Sequence, residues 1–345
     1  MTRVLVARLD SDGDVLLAGP AVRAVAAGAD EVVLLAGPRG AAAARLLPGV
    51  DELMVWACPW IEADAAPVDP GSVDTLVADL RQRGLDAALV LTSFHQSPLP
   101  LALLLRLAGV PWVGAVSEDY PGSLLDLRHQ LPMTGMHETE RMLSLAAAAG
   151  FPPPAGDRGG LAVRGPLPDL TALTGDLPYV VVHPGAAVPA RAPSASWSQQ
   201  LVEALTAAGH RVLVTGGPSE RDLTARVAGT AGVDLGGATD MAGLADVLHR
   251  ADVVVVGNTG PSHLAAAVGT PVVSLFAPVV PAERWRPWQV EQVLLGDQSA
   301  PCAASRARTC PVPGHPCLDG VAVQAAVDAV RHLSPVRGPA VPVPA

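Results

Sequence analysis

Val253-Val254-Val255-Val256-Gly257-Asn258-Thr259-Gly260-Pro261-Ser262-His263 is the stretch on which the reading of this chain turns. Four consecutive β-branched apolar residues leave no polar face, so they read as a strand buried on both sides, the habit of parallel sheets with helices above and below. Small polar residues follow, and Pro261 suits the first turn of a helix, here read over residues 261–268. Strand, glycine turn and helix start together expose backbone N–H groups around Thr259 to Ser262 (Pro261 has none). With the helix dipole these make an anion site, and a diphosphate fits it. His263 comes from the same turn. A lone histidine is more often structural, but at such a turn it is a candidate ligand contact.

The same alternation extends in both directions. In the first half, residues 4–9, 31–36, 52–57, 87–92 and 111–116 read as strands, and 14–27, 72–83, 99–107 and 137–149 as helices, with Gly84 closing the second of these. Phe151-Pro152-Pro153-Pro154-Ala155-Gly156 cannot be a helix interior, and the linker is placed between there and Asp176. In the second half, 179–183, 211–215, 253–256 and 272–276 read as strands, and 196–208, 220–228, 241–250, 261–268 and 322–333 as helices. The expected fold is α/β: two Rossmann-like doubly wound domains, residues 1–160 and 176–333, facing across a cleft, with a Pro/Val-rich disordered tail at 334–345. Ligands of such sheets bind beyond the carboxyl ends of the strands, so the residues just after strands are the ones to inspect.

Composition narrows the function. The chain has 345 residues, enough for two cores at roughly 150 residues per domain. Its formal charge is −10 and it shows no basic patch, which argues against a general nucleic-acid binder. All 23 basic residues are arginine, so chemistry that requires lysine is excluded. Arg8 and Asp10 interrupt any secretory h-region, and the least charged stretch, 253–282, is broken by glycines and prolines. The expectation is a cytoplasmic protein with at most peripheral contact at the inner face of the membrane. Four cysteines in this length do not form a disulfide scaffold.

Four more stations follow strands. Arg8-Leu9-Asp10-Ser11-Asp12-Gly13-Asp14 crowds three carboxylates into five residues, costly unless they are solvated or used. The plain alternative makes Asp12 or Asp14 a helix N-cap. The Asp-x-Asp-Gly spacing also resembles the haloacid dehalogenase phosphatases, which need a downstream lysine that this chain lacks. No Gly-x-Gly-x-x-Gly turn and no Gly-Lys-Ser/Thr loop is present. His183-Pro184-Gly185-Ala186 lets backbone approach a ligand at Gly185, and Arg191 beyond it carries a planar fork suited to phosphate. Thr215-Gly216-Gly217-Pro218-Ser219-Glu220 places a carboxylate where it can accept from ribose hydroxyls or complement a helix N-terminus. Finally, Cys302, Cys310, His315 and Cys317 contain the ligand types of a zinc site without its close Cys pairs, and a packed loop of reduced thiols, with no metal, is the preferred reading.

Taken in order, these stations resemble glycosyltransferase family 9, the ADP-heptose:lipopolysaccharide heptosyltransferase group. The matching pieces are Gly13-Asp14-Val15, His183-Pro184-Gly185-Ala186, Gly216-Gly217 with Glu220, and Thr259-Gly260 followed by His263-Leu264-Ala265-Ala266. Gly269-Thr270-Pro271 with Phe276, Trp285-x-Pro287, and the Cys310-Pro311 to Cys317 loop complete the set. The resemblance implies a GT-B fold and metal-independent transfer with inversion, from ADP-heptose or a similar nucleotide sugar to a glycan, glycolipid or metabolite hydroxyl, without a cofactor. Asp14 would be the general base. Thr259, Gly260 and the helix start would stabilise the leaving diphosphate, Arg191 would lie against the phosphates, and Glu220 would hold the ribose. His183, Gly185, Gly217 and His263 complete the expected donor side. Asn258 stands where the family has an aspartate expected to touch donor-sugar hydroxyls, and Arg191 where it has a lysine. On the acceptor side, His95 and Gln96 after one strand and Glu118 after the next are the candidates. A transferase for another nucleotide sugar, or a non-catalytic nucleotide-sugar-binding homologue, are the competing readings.

Overall fold

The computed structural model describes residues 2–62, 65–131 and 135–334. The expected disordered tail, apart from Ser334, lies outside the described residues. The chain divides into two compact units. The first runs through Pro166 and also takes in Glu283–Gln289; the second comprises Leu167–Ala282 and the chain from Val290 onward.

The first unit contains, in order, β1 (Arg3–Arg8), α1 (Asp12–Ala26), β2 (Glu31–Ala36), α2 (Ala41–Ala44), β3 (Glu52–Val55), α3 (Pro70–Gln82), β4 (Ala87–Val90), α4 (Leu99–Leu107), β5 (Trp112–Val116), β6 (Leu127–His129) and α5 (Glu138–Ala148). Its six strands lie in the order β3-β2-β1-β4-β5-β6, every neighbouring pair parallel. Val4, Leu5, Val6 and Ala7 are buried on both faces, as the continuous apolar run predicts. Asp69 caps α3, accepting from the N–H groups of Gly71 and Ser72. Gly84 leaves that helix in the left-handed region, at φ +59°.

The second unit contains α6 (Thr171–Thr174), β7 (Val180–His183), α7 (Ala195–Ala207), β8 (Val212–Gly216), α8 (Arg221–Ala228), β9 (Val233–Gly236), α9 (Met241–His249), β10 (Val253–Gly257), α10 (Gly260–Ala267), β11 (Val272–Leu275), α11 (Ala282–Trp285), β12 (Gln292–Leu295), α12 (Pro316–Asp319) and α13 (Val323–Leu333). Of α11, only Ala282 belongs to this unit, and Glu283–Trp285 belong to the first. The strand order is β12-β11-β10-β7-β8-β9, again all parallel. Counted from its own first strand, this is the same winding as in the first unit. Each sheet therefore reverses direction once, between β1 and β4 and between β7 and β10. A doubly wound sheet opens its ligand crevice at that reversal, beyond the strand ends.

The edge strands β6, β9 and β12 were absent from the sequence reading. They are three or four residues long and only partly covered, so they carry no long apolar run. Among the described residues no helix is long and apolar enough to cross a membrane.

Candidate active site

In the first unit, the reversal between β1 and β4 is occupied by charge. Arg8, the last residue of β1, is the largest fully buried side chain among the described residues. Its Nη2 donates to Asp14 Oδ1 at 3.0 Å and to Ser93 Oγ at 2.8 Å, while its Nε faces Asp10 Oδ2 at 3.2 Å. Ser11 is the N-cap of α1, so neither Asp12 nor Asp14 takes that place. Both aspartates sit in the first turn, where the helix dipole favours them. Ser11 Oγ donates to Asp14 Oδ2 at 2.9 Å, and Asp12 accepts from the Ala43 N–H at 2.9 Å. Burial raises the Asp10 pKa against the pull of Arg8, and burial would lower that of Arg8, but Asp10 and Asp14 reverse this and raise it. Asp14 opens with Asp10, Ser11, Arg39 and Glu62 onto a cleft of 60 Å³.

A second layer of charge lies behind the first. Glu138, wholly buried at the start of α5, meets Arg284 at 3.4 Å and Arg141 at 3.9 Å. Burial pushes the Glu138 pKa up, and the arginines, Arg8 among them, oppose that. Arg141 also donates to the Thr92 carbonyl, and Arg284 lies 4.3 Å above the Phe94 ring. Phe94, Ser117, Glu118, Arg141 and Arg284 belong to the wall of a 370 Å³ cavity. Of the expected acceptor-side residues, Glu118 lines this cavity. Gln96 instead donates to Asp10 Oδ1 at 2.6 Å and accepts from the Ser93 N–H. His95 is exposed, its ring 5.3 Å from that of Phe94.

Sequence reasoning missed Arg8 as a site residue, along with Ser93, Glu138, Arg141 and Arg284. A charged residue in the middle of a helix pattern reads as a solvated face. The one available signal was the strand-terminal Arg8 next to three carboxylates, since a strand buried on both sides has nowhere to send a guanidinium except to a partner.

The second unit brings its sequence-predicted residues to the β7/β10 reversal. His183, at the end of β7, pairs in register with Val256 of β10. The His183 ring is buried, with Nδ1 3.0 Å from Thr215 Oγ1 and Nε2 3.9 Å from Glu220 Oε2. Burial lowers its pKa, so it is neutral, although the Glu220 carboxylate pulls the other way. Glu220 folds back to accept from the Gly217 N–H at 2.7 Å. A Cβ on Gly185 would lie 1.9 Å from Glu220 Oε1, so the glycine makes room for that carboxylate. The Arg191 backbone passes under Gly257, whose added Cβ would meet the Arg191 carbonyl at 2.4 Å. His263 is buried on α10.

At the start of α10 and at Asn258, the protein's own groups take up part of the hydrogen-bonding capacity. The N–H of Thr259 donates to the Gly257 carbonyl and that of Ser262 to the Thr259 carbonyl, while Gly260, the first residue of α10, has no intrahelical acceptor for its N–H. Asn258 is buried, and its amide both donates to the Ala277 carbonyl at 3.3 Å and accepts from the Ala277 N–H at 3.2 Å. The side chain expected at donor-sugar hydroxyls thus ties β10 to the chain after β11. An amide can do both, whereas an ionised carboxylate has no donor for the carbonyl.

In the cysteine loop, Cys302 and Cys317 are buried in the second unit's core and Cys310 packs against it. Burial first, then Cys302 and Cys310, push the Cys317 thiol up to about 11. His315 turns away, its Nε2 3.2 Å from the Ala190 carbonyl. Among the described residues no group of three or more His, Cys, Asp or Glu is placed to hold a metal ion.

Comparison with known proteins agrees with this geometry. The model of glycosyltransferase family 9 (heptosyltransferase) matches residues 73–315. Lipopolysaccharide heptosyltransferase 1 of Pseudomonas aeruginosa is 33% identical over 242 residues, 67% of this chain and 65% of the relative. Lipopolysaccharide heptosyltransferase 3 of Escherichia coli K12 is 34% identical over 116 residues, 32% of this chain and only 33% of the relative. Among solved structures, a family 9 glycosyltransferase from Veillonella parvula superposes with a TM-score of 0.78 at 16% identity, covering 96% of this chain and 97% of that one. The Escherichia coli heptosyltransferase WaaC with ADP gives 0.71 at 18% identity, over 96% of this chain and 100% of that one. The α/β architecture is thus the GT-B fold of these proteins, and the chain belongs to glycosyltransferase family 9, the heptosyltransferase family.

Proposed function

We propose that this protein transfers a heptose, or a closely related sugar, from an ADP-linked donor to a hydroxyl of a glycan or glycolipid, with inversion and without a metal ion or cofactor. The observation that carries this reading is Asp14: a carboxylate at the sheet reversal, fixed by Arg8 and Ser11 and opening on a cleft. Asp14 takes the proton from the acceptor hydroxyl as that oxygen attacks the anomeric carbon, and the diphosphate leaves with the bonding electron pair. A single displacement of this kind inverts the centre. The second unit holds the donor. Glu220 accepts from the ribose, Arg191 faces the phosphates, and the α10 start at Thr259 and Gly260 stabilises the charge that develops on the diphosphate.

On the acceptor side, Arg141, Arg284 and Glu118 line the larger cavity, with Glu138 paired to both arginines, and a wall that carries both signs of charge suits a polar acceptor such as the glycan or headgroup of a glycolipid. Such a glycolipid would be met in the cytoplasm at the inner face of the membrane, through peripheral contact. A transferase using a different nucleotide sugar is the second reading. It is favoured by Asn258, whose amide is already engaged by Ala277.

The test is ADP release from ADP-heptose in the presence of a bacterial lipopolysaccharide acceptor. Asp14→Ala should cut turnover by roughly 10²- to 10⁴-fold, and EDTA should leave the wild-type rate unchanged. Full activity in Asp14→Ala would remove the base assignment. Collapse in EDTA with recovery on adding Mg²⁺ would remove the metal-free mechanism.

A further inference from the structure

Arg8 is the most expensive residue of the site and the proposed reaction never touches it. A guanidinium with no solvent exposure is tolerable only when paired and hydrogen-bonded. Arg8 has two carboxylates for its one charge: Asp14 Oδ1 at 3.0 Å on Nη2 and Asp10 Oδ2 at 3.2 Å beside Nε. Ser93 Oγ at 2.8 Å and the Leu91 carbonyl at 3.4 Å set the plane of the fork. Asp10 is itself held by Gln96 at 2.6 Å. One carboxylate would have been enough to neutralise the arginine at rest.

The second becomes necessary during transfer. When the acceptor proton arrives on Asp14, that carboxylate loses its charge. If Asp14 were the sole partner, the reaction would strand a buried cation at its most demanding moment. We propose that Arg8 and Asp10 are positioning residues for this chemistry: Arg8 aims and ionises Asp14, and Asp10 keeps Arg8 paired while Asp14 carries the proton. This rests on the reading of Asp14 as base. The step balances: the acceptor O–H proton passes to Asp14, the acceptor oxygen bonds to the anomeric carbon, and the electron pair of the broken bond leaves with the diphosphate. Asp14 then returns its proton to water through the cleft it shares with Arg39 and Glu62.

The proposal gives opposite signs for two substitutions, which a merely structural role would not. Losing the Arg8 cation raises the pH at which Asp14 titrates; losing the Asp10 anion lowers it. The other charges facing the pair are Glu138 and Arg141 on α5, Arg284 on α11, and Arg39 and Glu62 at the cleft. They are common to both variants and do not alter the signs.

The experiment is a ¹³C NMR titration of protein labelled at aspartate carboxyl carbons, the Asp14 signal being identified by its loss in Asp14→Asn. Arg8→Gln should move the Asp14 titration up by about one to three pH units, and Asp10→Asn should move it down. Arg8→Lys, which keeps the charge but not the fork, should leave the titration close to wild type. ADP release from ADP-heptose with a lipopolysaccharide acceptor should then show kcat lowered on the order of 100-fold in Arg8→Lys with the donor KM unchanged. If Arg8→Gln does not fold, Asp10→Asn and Arg8→Lys still decide. An Asp14 titration unmoved in Asp10→Asn, or moved in the same direction as in Arg8→Gln, overturns the proposal. Undiminished turnover in Asp14→Ala would instead overturn the base reading beneath it, so the two failures are distinct.

Discussion

A methyl group on Gly185 would collide not with backbone but with the end of a glutamate side chain, 1.9 Å from Glu220 Oε1. A flexible carboxylate can yield where a main chain cannot. Gly185→Ala should therefore fold, with a thermal midpoint within a few degrees of wild type, while Glu220 leaves the Gly217 N–H and the ribose position. ADP affinity measured calorimetrically should fall roughly tenfold, the cost of about 1.4 kcal/mol expected for one lost hydrogen bond to a charged group. Unchanged affinity would remove Glu220 from the nucleotide site. Gly257 is the contrasting case, since its Cβ would press on the Arg191 carbonyl at 2.4 Å and the strand end itself would have to move. The sequence marked Gly185 as a place where backbone approaches a ligand. The structure shows a further duty for it, sparing space for a neighbouring side chain 35 positions away in the numbering, from 185 to 220. A sequence motif says that a side chain is small, not which neighbour needs the room. Asn258 teaches the same lesson, because the amide needed by the Ala277 backbone is invisible until the turn after β11 is in place.

At the scale of elements, the long apolar strands and their helices were legible because burial on both faces writes a continuous run into the sequence; β10 is the clearest example, with every residue buried. The edge strands were not legible, since Val233–Gly236 and Gln292–Leu295 are short and half-covered and owe their extension to hydrogen bonds from one neighbour. Helix α5 shows what an element start can conceal. The helical spacing predicts a helix from His137; the structure makes His137 its N-cap, with Nδ1 accepting from the Thr139 N–H and the Glu140 carboxylate accepting from the His137 N–H. Its Nε2 donates to the Arg286 carbonyl, and its ring stacks on Trp288 at 4.3 Å. Burial lowers its pKa to about 4, so the ring is neutral when folded. The unfolded chain takes up a proton near the ordinary 6.5 and the folded one only near 4. Stability from this group is therefore fully present above pH 6.5 and is lost as pH falls from 6.5 to about 4, by at most about 3 kcal/mol. Urea unfolding followed across that range should show the decline. His137→Asn, which can still cap but does not titrate, should flatten it; an equal slope in both proteins would assign the acid sensitivity elsewhere.

At the scale of the whole molecule, one winding is used twice with different contents at the reversal. In the first unit the crevice is filled by titratable side chains, Arg8 between Asp10 and Asp14; in the second it is lined by glycines, a buried histidine and a helix start. Charge in one and accessible backbone in the other suit proton transfer and diphosphate binding, respectively. The sequence disclosed the duplication through its two rounds of strand and helix, but not the division of Glu283–Gln289, which returns to the first unit from the middle of the second. That division of labour predicts where a nucleotide leaves its mark. A ligand that binds only the folded form stabilises by RT ln(1 + [L]/Kd), about 2.7 kcal/mol at 100 Kd. ADP at that excess should slow amide hydrogen exchange at the ends of β7, β8 and β10 and in the first turn of α10, and leave the ends of β1 and β4 at their unliganded rates. UDP and GDP at equal concentration should protect the same segments less, because the base rather than the diphosphate separates the three. Protection centred on β1 and β4 would reverse the assignment of the units, and equal protection by all three nucleotides would leave the diphosphate site standing while removing the preference for an adenine nucleotide.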